Sequence, residues 1–149
     1  MLIKEKELKK FFNLSYGEKA PSREEWKSLY NQQVKFIDPT QEKNGIDAYI
    51  KAQDGLIKRC DDIYLESHSI AINKNIAFVE WTMGLKIKGL EFLYDGTTRL
   101  IFDEEGKVKE HRDYFDFCSG TFGNVPVIGA FFRWLYSCLL YTSPSPRDS

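Results

Sequence analysis

From Asp62 onward the apolar pattern of this chain changes period, and that change limits what it can fold into more than any other feature. Before it, apolar residues recur at helical spacings; after it they alternate. DIYLESHSIAI, from Asp62 to Ile72, alternates and ends at an Asn73-Lys74-Asn75 turn. IAFVEWTMGLKIK then reads as a long strand with Ala77, Val79, Trp81, Met83 and Leu85 on one side, and Gly89 marks the next reversal. LEFLYDGTTRLIF is a third strand, with a distortion expected at Asp95-Gly96. Asp103, Glu104, Glu105 and Gly106 make a tight turn into a fourth strand, KVKEHRDYFDF, ending at Phe117. Short turns between successive strands imply an antiparallel meander. Such a sheet must bury one face, and the segments that precede it are the material to do so.

Those segments read as helices. Residues 2 to 13 place Leu2, Ile3, Leu8, Phe11 and Phe12 at loosely helical spacing, and SYGEKAP interrupts. Ser22 is a good N-cap with Glu25 three residues on, and the helix it starts carries Trp26, Leu29, Tyr30 and Val34. VKFIDP is extended, because the residue before a proline is pushed out of the α region; Asp38 therefore sits at a forced bend. Gln41 to Gly45 reads as a polar loop, and a third helix follows from about Asp47 to Arg59. At the other end, VPVIGAFFRWLYS is helical from Pro126 and apolar nearly all round. It suits a lid or a packing element, and with Arg133 as its one charge it lacks the basic face of an interfacial helix. Helices first and a long meander second make an α+β domain. Helices laid across a strongly twisted sheet leave a cone-shaped cavity.

The domain is expected to span residues 1–137. CLLYTSPSPRDS, Cys138 to Ser149, breaks the preceding pattern, and back-translation of its first eleven residues matches one reading frame of a transposase sequencing adapter. It is read as an artefact and excluded from the fold; the alternative is a disordered Ser/Pro tail. Cys60 and Cys118 remain, with no CxxC spacing, so neither a disulfide scaffold nor a zinc site is expected. The N-terminus is charged and lacks the apolar core of a signal peptide, and no run reaches the roughly 18 apolar residues of a membrane span. A cytoplasmic protein without stable membrane insertion is the expectation. A net charge of −1 with no block of Lys or Arg argues against a nucleic-acid partner. No phosphate loop, nucleotide fingerprint or His/Cys/carboxylate cluster points to a cofactor or a metal.

The order of helix, helix, bend, helix and meander resembles the NTF2-like superfamily. The resemblance rests on Phe36-Ile37-Asp38-Pro39, Gly45 opening a helix, Phe102-Asp103-Glu104 and Gly106-Lys107-Val108. HRDYFD followed by NVPVIGAFFRWL is similar to a SnoaL-like group within it. The resemblance covers about Glu24 to Tyr136 and implies an α+β cone of helices wrapped on a curved four-strand antiparallel sheet, with a C-terminal helix. It also implies a homodimer through the open sheet face. The superfamily hosts isomerases, cyclases, epoxide hydrolases, dehydratases and non-catalytic binders, so fold alone does not decide function.

Three carboxylate or imidazole groups are candidates for chemistry. Asp38 matches the aspartate that abstracts a proton in ketosteroid isomerases; its alternative role is to fix the bend by capping nearby N–H groups. The same likeness aligns that family's oxyanion donors with Phe12, which cannot donate, and Thr98, which offers only a hydroxyl. His111 and Asp113 are two apart on a strand and share a face with Phe115, while Arg112, Tyr114 and Asp116 take the other. They are an acid/base pair or, alternatively, a buried polar pair tying the sheet together. Tyr30, Tyr49, Trp81, Met83, Thr98 and Phe115 are expected around an apolar ligand. Arg99 is expected on the opposite face, in a solvated ion pair with Asp116 or Glu80, and His68 on the surface or in sheet packing. Two functions follow: a cofactor-free isomerase, cyclase or hydrolase acting on a polyketide- or terpenoid-like compound, or a non-catalytic ligand-binding or scaffold protein.

Overall fold

The computed structural model describes residues 5–13, 16, 20–123 and 125–140. In its alternating half, β3 (Asp62–Asn73), β4 (Ile76–Ile87), β5 (Leu90–Phe102) and β6 (Val108–Phe115) pair antiparallel in chain order. Lys88 and Gly89 make the β4–β5 reversal with φ of 51° and 80°, the two positive values that a type I′ turn requires. Asp103 organises the next reversal. Its Oδ1 accepts from the N–H groups of Glu105 and Lys107 at 2.9 Å each, and its Oδ2 accepts from Asn31 Nδ2 at 2.9 Å. Asn31 foremost, then the Lys107 N–H, holds this carboxyl below its ordinary pKa. The turn is a hairpin stapled to the preceding strand.

The sheet has six strands, not four, in the order β2-β1-β6-β5-β4-β3. β1 (Tyr30–Ile37) runs parallel to β6, with Phe36 opposite His111, and β2 (Glu42–Asn44) adds an edge where a polar loop was expected. The second helix, α2 (Arg23–Leu29), accordingly ends before Tyr30 and Val34 rather than including them. Tyr30 still closes the last helical turn through its N–H to the Trp26 carbonyl, but its own φ of −103° and ψ of 142° are extended. Tyr30, Val34 and Phe36 share one parity and are buried, but Gln32 between them is exposed and the register with β6 shifts between Tyr30 and Lys35, so this strand has no strict alternation to reveal it.

The helices cover one face. α1 (Glu5–Asn13) buries Leu8 and Phe12 and packs against β3. Asn13 Oδ1 accepts from both the N–H and the Oγ of Ser67 at 2.8 Å, at the point where β3 slips its register with β4 between Ser67 and Ser69. The slip leaves a backbone donor for the helix to satisfy. Ser22 Oγ accepts from the Glu25 N–H at 3.2 Å and starts α2. α3 (Ile46–Arg59) follows Gly45, whose φ of 91° is a conformation that side chains disfavour.

β4 and β5 keep one register from Ile76 opposite Ile101 to Ile87 opposite Leu90, so the distortion expected at Asp95-Gly96 is absent. Gly96 serves another purpose: a Cβ there would stand 2.6 Å from Trp81 Cη2 and 2.8 Å from the Tyr114 carbonyl oxygen. The glycine makes room for the indole on the inner face. Arg99 does face the other way, but its partner is Glu110 on the neighbouring strand, at 2.6 Å, not Asp116 or Glu80. β6 stops at Phe115 because Asp116 accepts from the Ser119 N–H at 2.8 Å and caps a short helix, α4 (Phe117–Phe122), that the sequence reading missed.

α5 (Pro126–Leu140) begins at the expected proline and packs against α4. Val127, Phe131 and Trp134 on it are 81%, 55% and 60% exposed and none of its residues lines the cavity described below, so of the two expectations, lid or packing element, it fits the second. It continues through Cys138 to Leu140, and the rest of the segment read as an artefact, 141–149, lies outside the described residues. Among the described residues no helix is long and apolar enough to cross a membrane.

If Gly96 exists to admit Trp81, then Gly96→Ala lowers stability by about 1–3 kcal/mol through overpacking against the indole and the Tyr114 carbonyl. Equilibrium denaturation measures this directly; an unchanged midpoint would contradict it.

Candidate functional site

Between the helices and the inner sheet face lies a cavity of about 300 Å³. Its walls are largely aromatic: Phe12 from α1, Trp26 from α2, Tyr30 and Phe36 from β1, Tyr49 from α3, Trp81 from β4, Tyr94 from β5 and Phe115 from β6. Met83, Thr98, His111 and Asp113 also line it, as does Asp38. Thr40, Gln41 and Arg59 line it and are exposed, so they lie where it meets solvent.

Inside this apolar wall runs a buried polar network whose hydrogen order can be worked out from its ends. Trp81 Nε1 donates to Thr98 Oγ1 at 2.8 Å; an indole N–H can only donate. The Thr98 hydroxyl then sends its own hydrogen to Asp113 Oδ1, at 2.5 Å. From the opposite wall, Gln53 Nε2 donates to Tyr49 Oη at 2.8 Å. Tyr30 Oη is 2.7 Å from His111 Nδ1, the hydrogen-bond partner that the described residues offer this buried hydroxyl, so its hydrogen is assigned to that nitrogen. The bond order thus leaves Nδ1 bare and assigns the imidazole proton to Nε2, which donates to Asp113 Oδ1 at 2.8 Å.

Two chains of donors therefore converge on one carboxylate oxygen. Parity puts His111 and Asp113 on the inner face, and the register puts Thr98 directly opposite Asp113. His111 is 4% exposed and walled by the rings of Phe36 (5.0 Å between centroids), Tyr49 (5.4 Å) and Tyr30 (5.8 Å). Both its ring nitrogens are occupied, so the imidazole presents nothing to a ligand. Asp113 is different. Its side chain is 18% exposed, and among the described residues its hydrogen bonds fall on Oδ1, which leaves Oδ2 for the cavity.

Asp38 stands apart from this network. Its Oδ1 accepts from Thr40 N–H (2.7 Å), Thr40 Oγ1 (2.8 Å) and Gln41 N–H (2.9 Å), and its Oδ2 from Gln41 Nε2 (3.2 Å). That is the geometry of a residue fixing the bend before Pro39. His68 is exposed on the outer face and bonds Thr82 Oγ1 at 2.7 Å. Among the described residues no group of three His, Cys, Asp or Glu side chains is arranged to hold a metal ion. Sequence reasoning missed Tyr16, Gln53 and Phe36 as cavity residues. Tyr16 sits in a stretch with no periodicity, and Gln53 belongs to a polar position of α3; only the excess of aromatics hinted at them.

Burial foremost, then the negative charge of Asp113, raises the pKa of Tyr16 and Tyr30 above the ordinary phenol range. Tyr49 is raised too, by burial and then by its neighbours Tyr30, Tyr16 and Asp113. The folded protein thus keeps protons that the unfolded chain releases above pH about 10. Their stabilising contribution is intact below that pH and is lost as pH climbs further, since the native state then binds more protons than the unfolded one. An alkaline titration is expected to show a late group of tyrosines whose phenolate absorbance appears only as near-UV circular dichroism is lost. Ionisation of every tyrosine before that loss would contradict it.

Comparison with known proteins agrees with this architecture. No curated protein matches the sequence. Among solved structures, an NTF2-like protein of unknown function from Exiguobacterium sp. 255-15 superposes with a TM-score of 0.62 at 23% identity, covering 74% of this chain and 98% of that one. A putative SnoaL-like polyketide cyclase from Jannaschia sp. CCS1 gives 0.64 at 13% identity, covering 94% and 92%. A hypothetical protein with a ketosteroid isomerase-like fold from Catenulispora acidiphila DSM 44928, in complex with trimethylamine, gives 0.63 at 14%, covering 74% and 85%. At these identities the likeness establishes the fold, with two more strands than the sequence pattern revealed. The fold is NTF2-like; residues 9–111 match the SnoaL-like domain, and the chain belongs to that family.

Proposed function

We propose that the protein binds an apolar small molecule in its cone and carries out cofactor-free proton transfer on it, with Asp113 as the acid/base group. The observation behind this reading is the convergence of Thr98 and His111 on Oδ1 of a cavity-lining Asp113, which among the described residues leaves Oδ2 without a hydrogen bond. Oδ2 takes a proton from a carbon next to a carbonyl, the electron pair moves onto the carbonyl oxygen as an enolate, and the proton returns to that carbon or to a conjugated one. Tyr16, which lines the cavity and holds its proton firmly, is the hydroxyl suited to the developing oxyanion. Thr98 is not, because its single hydrogen is committed to Asp113. His111 acts through Asp113 as a positioning residue, and Asp38 serves the loop.

The cavity volume of about 300 Å³ suits a compound of one or two fused rings, in keeping with a polyketide- or terpenoid-like substrate. The Jannaschia relative, described as a putative polyketide cyclase, and the trimethylamine held by the Catenulispora relative fit a small-molecule site. The homodimer implied by the resemblance has its candidate surface on the outer sheet face, where Phe78 and Tyr114 are 42% and 43% exposed.

The test is deuterium exchange at the α-carbon of a bicyclic ketone such as 2-tetralone, followed by NMR in D₂O. The wild type is expected to accelerate exchange, Asp113→Asn to reduce the rate about 100-fold or more, and Asp38→Asn to stay within a few-fold of wild type. Full exchange in Asp113→Asn would remove Asp113 from the mechanism. Tight ketone binding without any exchange would favour the second reading, a non-catalytic carrier, which the complete occupation of both His111 nitrogens already makes specific.

A further inference from the structure

The charge balance of the cavity says what kind of ligand it takes. Both donor chains that end on Asp113 are built from groups to which the bond order assigns no charge: Trp81 and Thr98 on one side, and Tyr30 and a His111 protonated on Nε2 alone on the other. They solvate the carboxylate with dipoles but bring no counter-charge. Arg59 is the one Lys or Arg among the lining residues, and it is exposed at the end of α3. The buried interior is therefore negative, and the same charge contributes to holding the protons on Tyr16 and Tyr30.

Three of the rings that line the cavity have a matching arrangement. Phe115 is two residues along the same strand face. Its ring lies 5.8 Å from Trp81 at 60° and 5.5 Å from Tyr94 at 69°. Trp81 is tied to Asp113 through Thr98. Three aromatic planes set at steep angles thus share a cavity with a carboxylate, and aromatic faces and carboxylate alike attract positive charge. An anionic ligand would meet the same field as repulsion, in a site where burial weakens screening.

We propose that the Trp81–Tyr94–Phe115 corner holds a tertiary or quaternary ammonium group of an otherwise apolar ligand, paired with Asp113. The inference rests on the cavity reading above but not on proton transfer. Its test uses three probes of one shape on the full chain: choline, 3,3-dimethylbutan-1-ol and 3,3-dimethylbutanoate, which are cationic, neutral and anionic. Calorimetry, with tryptophan fluorescence as a second readout, is expected to give choline about tenfold tighter binding than the alcohol and no binding of the acid. Asp113→Asn should abolish the preference while the alcohol still binds, and Phe115→Leu should reduce it. Equal affinity for alcohol and choline, binding of the acid, absence of choline binding, or a preference that survives Asp113→Asn would each overturn the proposal. Proton transfer is judged separately: ketone exchange that depends on Asp113 stands even if choline and alcohol bind alike, whereas loss of exchange leaves a measured cation preference intact.

Discussion

Thr98 and His111 both give a hydrogen to Asp113 Oδ1, and much else in the interior is arranged so that they can. A carboxylate inside an aromatic cavity is costly unless its oxygens are hydrogen-bonded. Here the donors are themselves held by donors, Thr98 by Trp81 on one side and His111 by Tyr30 on the other. Each chain has a fixed direction, because an indole can only donate and a hydroxyl has one hydrogen to give. Removing one member would leave its neighbour's polar group buried without a partner, which costs more than the bond itself.

This interaction explains features of the fold that otherwise look incidental. Gly96 admits the Trp81 indole that orients Thr98. The register shift of β1 against β6 lets Tyr30 reach His111 Nδ1 while Phe36, opposite His111, walls the same imidazole. Asn13 ties α1 to the slip in β3, and α1 brings Phe12 to the cavity. The hydrogen bonds to Asp113 are carried by strands rather than by loops, which is what holding a carboxylate to one orientation demands.

Much of this was legible in the sequence, for identifiable reasons. Strand parity placed His111, Asp113 and Phe115 on one face because β6 is regular up to Phe115. The caps announced themselves through Ser22, and the reversal at Gly89 through its glycine. The second half of β1 was legible as the extended VKFIDP, but its start was hidden because Tyr30 and Val34 continue the helical spacing of Trp26, and its parallel partner is far away in sequence. α4 was hidden because Asp116 fits the alternation of β6 as well as it fits a helix cap. Tyr16 and Gln53 had no pattern to mark them. The direction of the hydrogen bonds lay beyond any sequence reading, since it follows from which atoms meet.

The central claim is that His111 is a neutral imidazole with its proton on Nε2, serving Asp113 rather than a ligand. With two histidines in the chain, nitrogen-15 NMR of histidine-labelled protein resolves the question directly. At neutral pH the account predicts that one histidine, lost in His111→Gln, shows a protonated Nε2 and a bare, hydrogen-bond-accepting Nδ1. A proton on Nδ1, or a doubly protonated ring, would contradict it.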